Sequence, residues 1–378
     1  MIIFIANQFI GNNISTGGDV LSVEMAKRVK GKKAFLSPKK IHKIIREQIS
    51  DVALISTNNN HRILSTASTI FGGISTVIEY VLRSYNSSIW LIKNAKASDT
   101  IYLTGDFLCN SFPAYIVKKK YPQIKVLSNF FHRNPKPGNR PGNNYVVSYF
   151  SRFLQTISLR LISSISNNVF VLSEIGKNEL IDEGFQKSKI VVSGAGVDKK
   201  IVVRRRRKAK NQIVFVGRVN ITKGAFDIVQ IFSIVSKVIP ELHMVMMGGA
   251  SKQDKKKLLA LIRDYSMDNK ISYLGFVDER SKYEIISESK VLVLPSKEEG
   301  FGIVIMEALA LGVPVICYKL PSLKAIFTKY DSVKFVNCFD EHSFAKSIEK
   351  SCLENVPVKK QRIFTWEDVY KVQSKYIF

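Results

Sequence analysis

Ser296–Pro314 reads SKEEGFGIVIMEALALGVP. Ahead of it runs Val291–Pro295 (VLVLP), an apolar segment of strand type with no room for a helix. Gly300 and Gly302 open a pattern that turns helical, and Gly312 with Pro314 closes it. The stretch predicts strand, glycine turn and helix, with Glu299 on the turn and Glu307 inside the helix. A helix N-terminus presents unpaired backbone N–H groups and the positive end of the dipole, so it suits an anion. The glycines let a ligand approach that backbone closely. Two carboxylates would repel phosphate, so their expected task is to accept hydrogen bonds from hydroxyls. Phosphate together with many hydroxyls describes a nucleotide-sugar.

Upstream, Phe215–Gly224 reads FVGRVNITKG. A strand ends at Gly217, and Arg218 and Lys223 follow in the loop ahead of the next helix. Paired cations at the carboxyl end of a strand suit a diphosphate leaving group. Gly275-Phe276-Val277 stands between a predicted strand and a predicted helix. Near the start of the chain, Thr16-Gly17-Gly18-Asp19 follows the first strand, Ile2–Ala6, and His132 follows the strand Lys125–Phe131.

Pro295-Ser296, the turn Glu299–Gly302, Glu307 and the order G-R-x4-K-G over 217–224 together resemble the retaining glycosyltransferases of family GT4, which have the GT-B fold. The resemblance implies an α/β chain of two doubly wound, Rossmann-like domains facing a central cleft, with a C-terminal helix crossing back to the first domain. On it, Arg218 and Lys223 bind the donor diphosphate and stabilise the charge that develops as the sugar departs. Glu299, Gly300, Phe301 and Gly302 surround the transferred sugar. Glu307 accepts from the ribose hydroxyls, and Ile303, four residues earlier, shares its helix face. Phe276 and Val277 contact the nucleotide base. Gly17 and Gly18 match the family's glycine loop and bring backbone to the phosphates or the acceptor. His132 stands where the family often has a His facing the donor sugar, which completes a catalytic set of His132, Glu299, Arg218 and Lys223. Ala195, within Gly194–Asp198 (GAGVD), departs from the family's usual Asn, and Gly248-Gly249-Ala250 lacks an acid that is frequent there. Retention by front-face attack is implied, a donor phosphate oxygen assisting deprotonation of the acceptor. No DxD-type acid pair is placed to chelate a metal beside the diphosphate, so neither a metal nor another cofactor is expected. The implied partners are a UDP- or GDP-sugar donor and an acceptor glycan or lipid-linked sugar.

At 378 residues the chain fits two domains of ordinary size. Strand-like and helix-like segments alternate from residue 1 to 198, which predicts parallel α/β units. Residues 199–210, with Arg204–Arg207 and no sustained apolar period, read as a basic linker or exposed loop. Alternation restarts over 211–360. Residues 361–378 end in a helix-type stripe of Trp366, Val369, Tyr370, Val372 and Tyr376, the helix expected to pack back on the first domain. An apolar fraction of 46% with 23% charged residues is that of a soluble globular protein. Four cysteines without close paired spacing suggest neither zinc nor a disulfide framework, and a reducing, cytoplasmic setting is expected. Met1–Ala6 is too short and lacks the basic start of a signal peptide. Tyr145–Ile165 is interrupted by Arg152, Gln155 and Arg160, which makes it a poor membrane span.

The net charge of +26 predicts attraction to polyanions: anionic membrane, nucleic acid or phosphorylated substrate. Between Phe107 and Ser173 there is no acid, while Lys118, Lys119, Lys120, Lys125, Arg133, Lys136, Arg140, Arg152 and Arg160 fall there. Tyr145, Tyr149, Phe150 and Phe153 lie in the same span, which suggests peripheral docking on an anionic membrane at its cytosolic face, beside a lipid-linked acceptor. The same apolar residues would equally serve as core, with the charges a solvated face. A nucleic-acid-binding protein would use such charge, but no recognised motif for it appears and the acids of the donor site would go unexplained. A different GT-B-like enzyme, such as a sugar-nucleotide epimerase or a phosphorylase, is the other rival.

Overall fold

The computed structural model describes residues 1–9, 17–58, 70–138, 145–202, 208–354 and 362–377. Thr16, Arg140 with its Pro/Gly-rich neighbours 139–144, and Arg204–Arg207 lie outside the described residues. The chain divides into two compact units, Met1–Ala195 with Trp366–Phe378, and Gly196–Thr365.

Among the described residues the first unit holds seven strands: β1 (Ile2–Ile5), β2 (Lys33–Ser37), β3 (Val52–Ser56), β4 (Thr100–Leu103), β5 (Lys125–Phe130), β6 (Asn168–Val171) and β7 (Ile190–Val192). They form one parallel sheet in the order β3-β2-β1-β4-β5-β6-β7. Parallel sheets bury both faces, so their strands are short and apolar nearly throughout. Alternate side chains serve the two faces. Ile3, Ile5, Ile101, Leu103 and Val126 pack beneath the helices Ile70–Asn94, Leu108–Lys120 and Tyr145–Ile165. Phe4, Phe35, Tyr102 and Phe170 form an aromatic row, with centroids 5.5 Å apart for Phe4 and Phe35, 4.9 Å for Phe4 and Tyr102, and 6.3 Å for Tyr102 and Phe170. The final helix, Trp366–Ile377, lies against this row: Tyr376 meets Phe170 edge-on at 5.9 Å, and the Tyr102 hydroxyl donates to Gln373 Oε1 at 2.7 Å.

The second unit repeats the plan with β8 (Gln212–Val216), β9 (His243–Met247), β10 (Ile271–Gly275), β11 (Leu292–Leu294), β12 (Val315–Tyr318) and β13 (Val333–Val336). Their order is β10-β9-β8-β11-β12-β13, again parallel. In both sheets the chain winds outward from its first strand, returns, and continues on the other side. The winding reverses between β1 and β4, and between β8 and β11. Loops at the carboxyl ends of two such neighbouring strands diverge and leave a crevice, where open α/β sheets take their ligands.

The structure differs from the sequence expectations in three places. Lys199–Val202, expected within a linker, is a short helix with Ile201 buried, and it belongs to the second unit. The break between units falls after Ala195 because the Val197 N–H donates to the Phe364 carbonyl at 3.0 Å, and Val197 pairs with Thr365. The aromatic residues Tyr145, Tyr149, Phe150 and Phe153 are exposed, whereas Gln155, Ser158, Leu159 and Ile162 of the same helix face inward. The core reading of those aromatics is therefore incorrect. Among the described residues no helix is long and apolar enough to cross a membrane.

Candidate active site

The register of β8 against β11 sets up the site. Leu292 lies opposite Val214 and Val293 opposite Phe215, so Gly217 and Pro295 emerge level at the carboxyl edge. The loop after β8 folds onto the loop after β11. Gly224, at φ +67°, leaves no room for a side chain: a Cβ there would lie 2.0 Å from the Pro295 carbonyl oxygen. Asn220 Oδ1 accepts the Lys223 N–H at 2.9 Å and so shapes the turn Ile221–Lys223. Backbone closes the other side, the Lys297 N–H donating to the Thr222 carbonyl at 2.8 Å.

This approach delivers Lys223 to Glu299. Lys223 Nζ donates to Glu299 Oε1 at 2.6 Å, with side-chain exposures of only 20% and 12%. Ser296 Oγ donates to the same carboxylate oxygen at 3.1 Å, and Ser322 Oγ donates to the Glu299 carbonyl at 2.5 Å. Arg218 follows β8 on the same edge and is exposed, with no ion pair among the described residues. Gly302 begins the helix Ile303–Ala310 in the left-handed region, φ 78° and ψ 54°, where a Cβ would come 2.8 Å from Leu323 Cδ2. Gly300 precedes it in the turn. Phe301 is buried and packs edge-on to Phe327 at 6.1 Å, so its ring anchors the turn and only its backbone remains for a ligand.

Glu307 is buried on the helix Ile303–Ala310, four residues beyond half-buried Ile303. Its Oε1 accepts from Lys282 Nζ at 2.7 Å and from the Tyr283 hydroxyl at 3.4 Å. Burial, then the nearby Glu307 charge, pushes the Tyr283 phenol well above its ordinary range. Phe276 is exposed and Val277 half-buried just past β10. β10 lies two strands from β8, a lateral offset of about 10 Å at ordinary strand spacing. One carboxyl edge thus offers an aromatic and apolar pair, a buried carboxylate, and a lysine–carboxylate pair with an exposed arginine on the same edge.

The carboxyl edge of the first sheet holds the remaining predicted residues. Gly17 and Gly18 open the helix Gly17–Arg28, and a Cβ on Gly18 would come 2.5 Å from the Phe131 ring. His132 follows that ring, and its carbonyl accepts from Gln155 Nε2 at 3.0 Å. The same amide donates to Asp106 Oδ2 at 2.6 Å. Asp106 is buried, which raises its carboxyl above the usual range. Burial likewise raises Glu179, whose Oε2 accepts the Arg133 N–H at 3.0 Å. Beside them, a buried network ties Asn7, Ser87 and Asn110: Asn7 N–H donates to Asn110 Oδ1, and Asn7 Nδ2 to Ser87 Oγ, each at 2.9 Å.

Sequence inspection did not single out Asn220, Lys282, Asp106 or Gln155. Asn220 carried a usable signal, being an N-cap type directly ahead of a short turn. Lys282 and Gln155 sit in ordinary helical sequence and acquire partners only through the fold. Among the described residues no group of three His, Cys, Asp or Glu side chains is placed to hold a metal ion.

Known proteins share the sequence pattern of the second unit and the fold of the chain. The sequence profile described as Glycosyl transferases group 1 matches residues 196–364. An uncharacterized glycosyltransferase of Haemophilus influenzae is 24% identical over 178 residues, 47% of this chain and 49% of the relative. The chain thus aligns with about half the length, or less, of the curated relatives it matches. Solved structures match over nearly their full length, among them the following. Anabaena HepE, crystallised with UDP and glucose, superposes with a TM-score of 0.69 at 13% identity, covering 99% of this chain and 94% of that one. The lipopolysaccharide outer core galactosyltransferase WaaB superposes with a TM-score of 0.63 at 14% identity, covering 100% and 99%. The second unit, over residues 196–364, is a glycosyl transferases group 1 domain, and the chain that carries it has the GT-B fold.

Proposed function

We propose that the protein is a retaining glycosyltransferase that moves a sugar from a nucleotide-sugar to an acceptor hydroxyl. The observation that carries this reading is the pairing of Lys223 with Glu299 at the reversal between β8 and β11. A donor brings both chemistries that this pair can meet. Its diphosphate attracts the Lys223 ammonium and the Arg218 guanidinium, and its sugar hydroxyls donate to the Glu299 carboxylate. The ion pair keeps both groups positioned until the donor separates them. Phe276 and Val277 flank the base, and Glu307 accepts from the ribose hydroxyls.

In the reaction the bond from the anomeric carbon to the diphosphate oxygen breaks, and its electron pair leaves with the nucleotide. Lys223 and Arg218 stabilise that charge, which is greatest in the transition state. The acceptor oxygen forms the new bond on the face the diphosphate leaves, and its proton passes to a donor phosphate oxygen. We expect turnover to need no added metal, which chelation with EDTA checks directly. HepE was crystallised with UDP and glucose, and WaaB is named for the lipopolysaccharide core. They support a UDP-sugar as the first donor to try and a lipid-linked glycan as the acceptor class. Acceptor binding is assigned to the carboxyl edge of the first sheet, near Gly17, Gly18 and His132.

Calorimetric titration with UDP- and GDP-sugars tests the assignment. Lys223→Ala and Glu299→Ala should each weaken the preferred donor by roughly tenfold to a hundredfold, the range for a hydrogen bond to a charged group. Unchanged donor affinity in both variants would place the site elsewhere.

A further inference from the structure

Three helices of the first unit present an apolar face to solvent. Along Ile70–Asn94 the exposed residues are Ile78, Val81, Leu82 and Tyr85, a single stripe at helical spacing. Beneath that stripe the inward positions are instead polar: Arg83, Ser84, Ser87 and Ser88 are buried, and only Leu91, further along, adds a fully buried apolar side chain. They are committed there, because Arg83 donates to the Asn7 and Phe9 carbonyls at 2.5 and 2.7 Å, and Ser87 accepts from Asn7. The helix is amphipathic in the wrong sense for a soluble surface, and it cannot rotate to correct this. The first half of Tyr145–Ile165 behaves likewise, with Tyr145, Tyr149, Phe150 and Phe153 outward and Ser148 and Gln155 inward, before Leu159 and Ile162 turn to the core. Between the two packs Leu108–Lys120, whose Phe112 is also exposed, and exposed Phe107 touches Tyr80 edge-on at 6.3 Å. Every one of these outward apolar side chains is 41–64% exposed. Large contiguous apolar surface of this kind marks an interaction site.

The charge on the same layer identifies the occupant. Glu79 is the one acid in the three helices, and it is ion-paired with buried Arg83. Lys93, Lys119, Lys120 and Arg160 are exposed around the stripe. An isologous second copy would set this basic face against itself, which costs electrostatic energy. A bilayer containing anionic phospholipid meets both features, taking aromatic side chains at the headgroup boundary and cations on its phosphates. We propose that the outer face of Ile70–Asn94, Leu108–Lys120 and Tyr145–Ile165 docks on anionic membrane. The proposal stands apart from the transfer chemistry, since vesicle recovery and donor turnover are read separately.

Co-sedimentation with vesicles tests it. Phosphatidylcholine mixed with phosphatidylglycerol should recover the protein at low salt, and phosphatidylcholine alone should not. Added salt should release it. Lys119→Glu with Lys120→Glu should weaken recovery by about fivefold or more per charge. Tyr149→Ser, Phe150→Ser and Phe153→Ser together should abolish it, and Tyr85→Ser alone, on the other helix, should lower it. Val238→Ser, an exposed apolar position of the second unit, should change nothing, and circular dichroism confirms that each variant is folded. Equal recovery on neutral vesicles, or full recovery by the folded aromatic variant, would overturn the proposal. So would a dimer in analytical ultracentrifugation that the aromatic substitutions dissolve.

Discussion

Lys223 and Glu299 neutralise one another at 2.6 Å in a largely water-excluded setting, so neither can be judged alone. Removing one leaves the other partly buried without its counter-charge, which costs more than the pair contributed. Lys223→Met and Glu299→Gln should therefore each lower thermal stability, and the double variant should lose about 1 kcal/mol less than the sum. Additive losses in thermal melts would mean that the contact is not made in solution. Asp106 allows a second test, in pH. Burial raises its carboxyl in the folded state, so the native protein holds that proton more tightly than the unfolded chain does. Stability from this group is full below the ordinary aspartate range and is lost as pH rises through the raised folded value. Asp106→Asn keeps an oxygen for Gln155 and cannot ionise. It should flatten that decline and leave the protein more stable at neutral pH than the parent, as urea midpoints at several pH values will show. Lys223 and Glu299 were legible beforehand because each stands at a fixed offset from glycines that mark strand ends. Asp106 was not: its environment comes from Gln155, 49 residues away, and no local pattern encodes that distance.

Strand–loop–helix units carry the site, and the glycines that shape them differ in what they tolerate. Gly224 and Gly275 are both left-handed, at φ +67° and +68°, but only Gly224 faces an obstacle, the Pro295 carbonyl. Gly275→Ala should cost about 1–2 kcal/mol, the strain of a left-handed residue alone. Gly224→Ala should cost roughly 2–4 kcal/mol, because the loops after β8 and β11 must also part. It should weaken donor binding as well, since those loops hold Lys223 against Glu299. Equal urea midpoints for the two variants would contradict the close approach. Most strands were readable from short apolar runs between glycines, because a sheet buried on both faces needs little else. The helix Ile70–Asn94 was not, and the physical reason is its inverted pattern. Its apolar stripe faces water and, up to Leu91, its buried face is Arg83 with serines, so periodicity alone indicates neither the orientation nor the partner.

Two units of one plan, each folding about its own core, should report damage separately. The final helix is the sharpest case, because sequence position would group it with β8–β13 while its contacts are with β4, β6 and Ser193 just past β7. Gln373 is fully buried, accepting from the Tyr102 hydroxyl at 2.7 Å and donating to Ser193 Oγ at 3.0 Å. Gln373→Ala removes the acceptor 2.7 Å from the Tyr102 hydroxyl, leaving it only Asn129 Oδ1 at 3.4 Å, and takes a partner from Ser193 inside an apolar layer, where an unsatisfied polar group costs about 1–3 kcal/mol. Replacement should therefore destabilise the first unit by roughly 2 kcal/mol through this contact. Amide hydrogen exchange distinguishes the units strand by strand. In Gln373→Ala, exchange should accelerate across β4–β7 and stay at the parent rate across β8–β13. Donor affinity, which depends on Lys223, Glu299 and Glu307, should be unchanged. Equal acceleration in both sheets would show instead that the units unfold as one, and that the last helix supports the second sheet as much as the first.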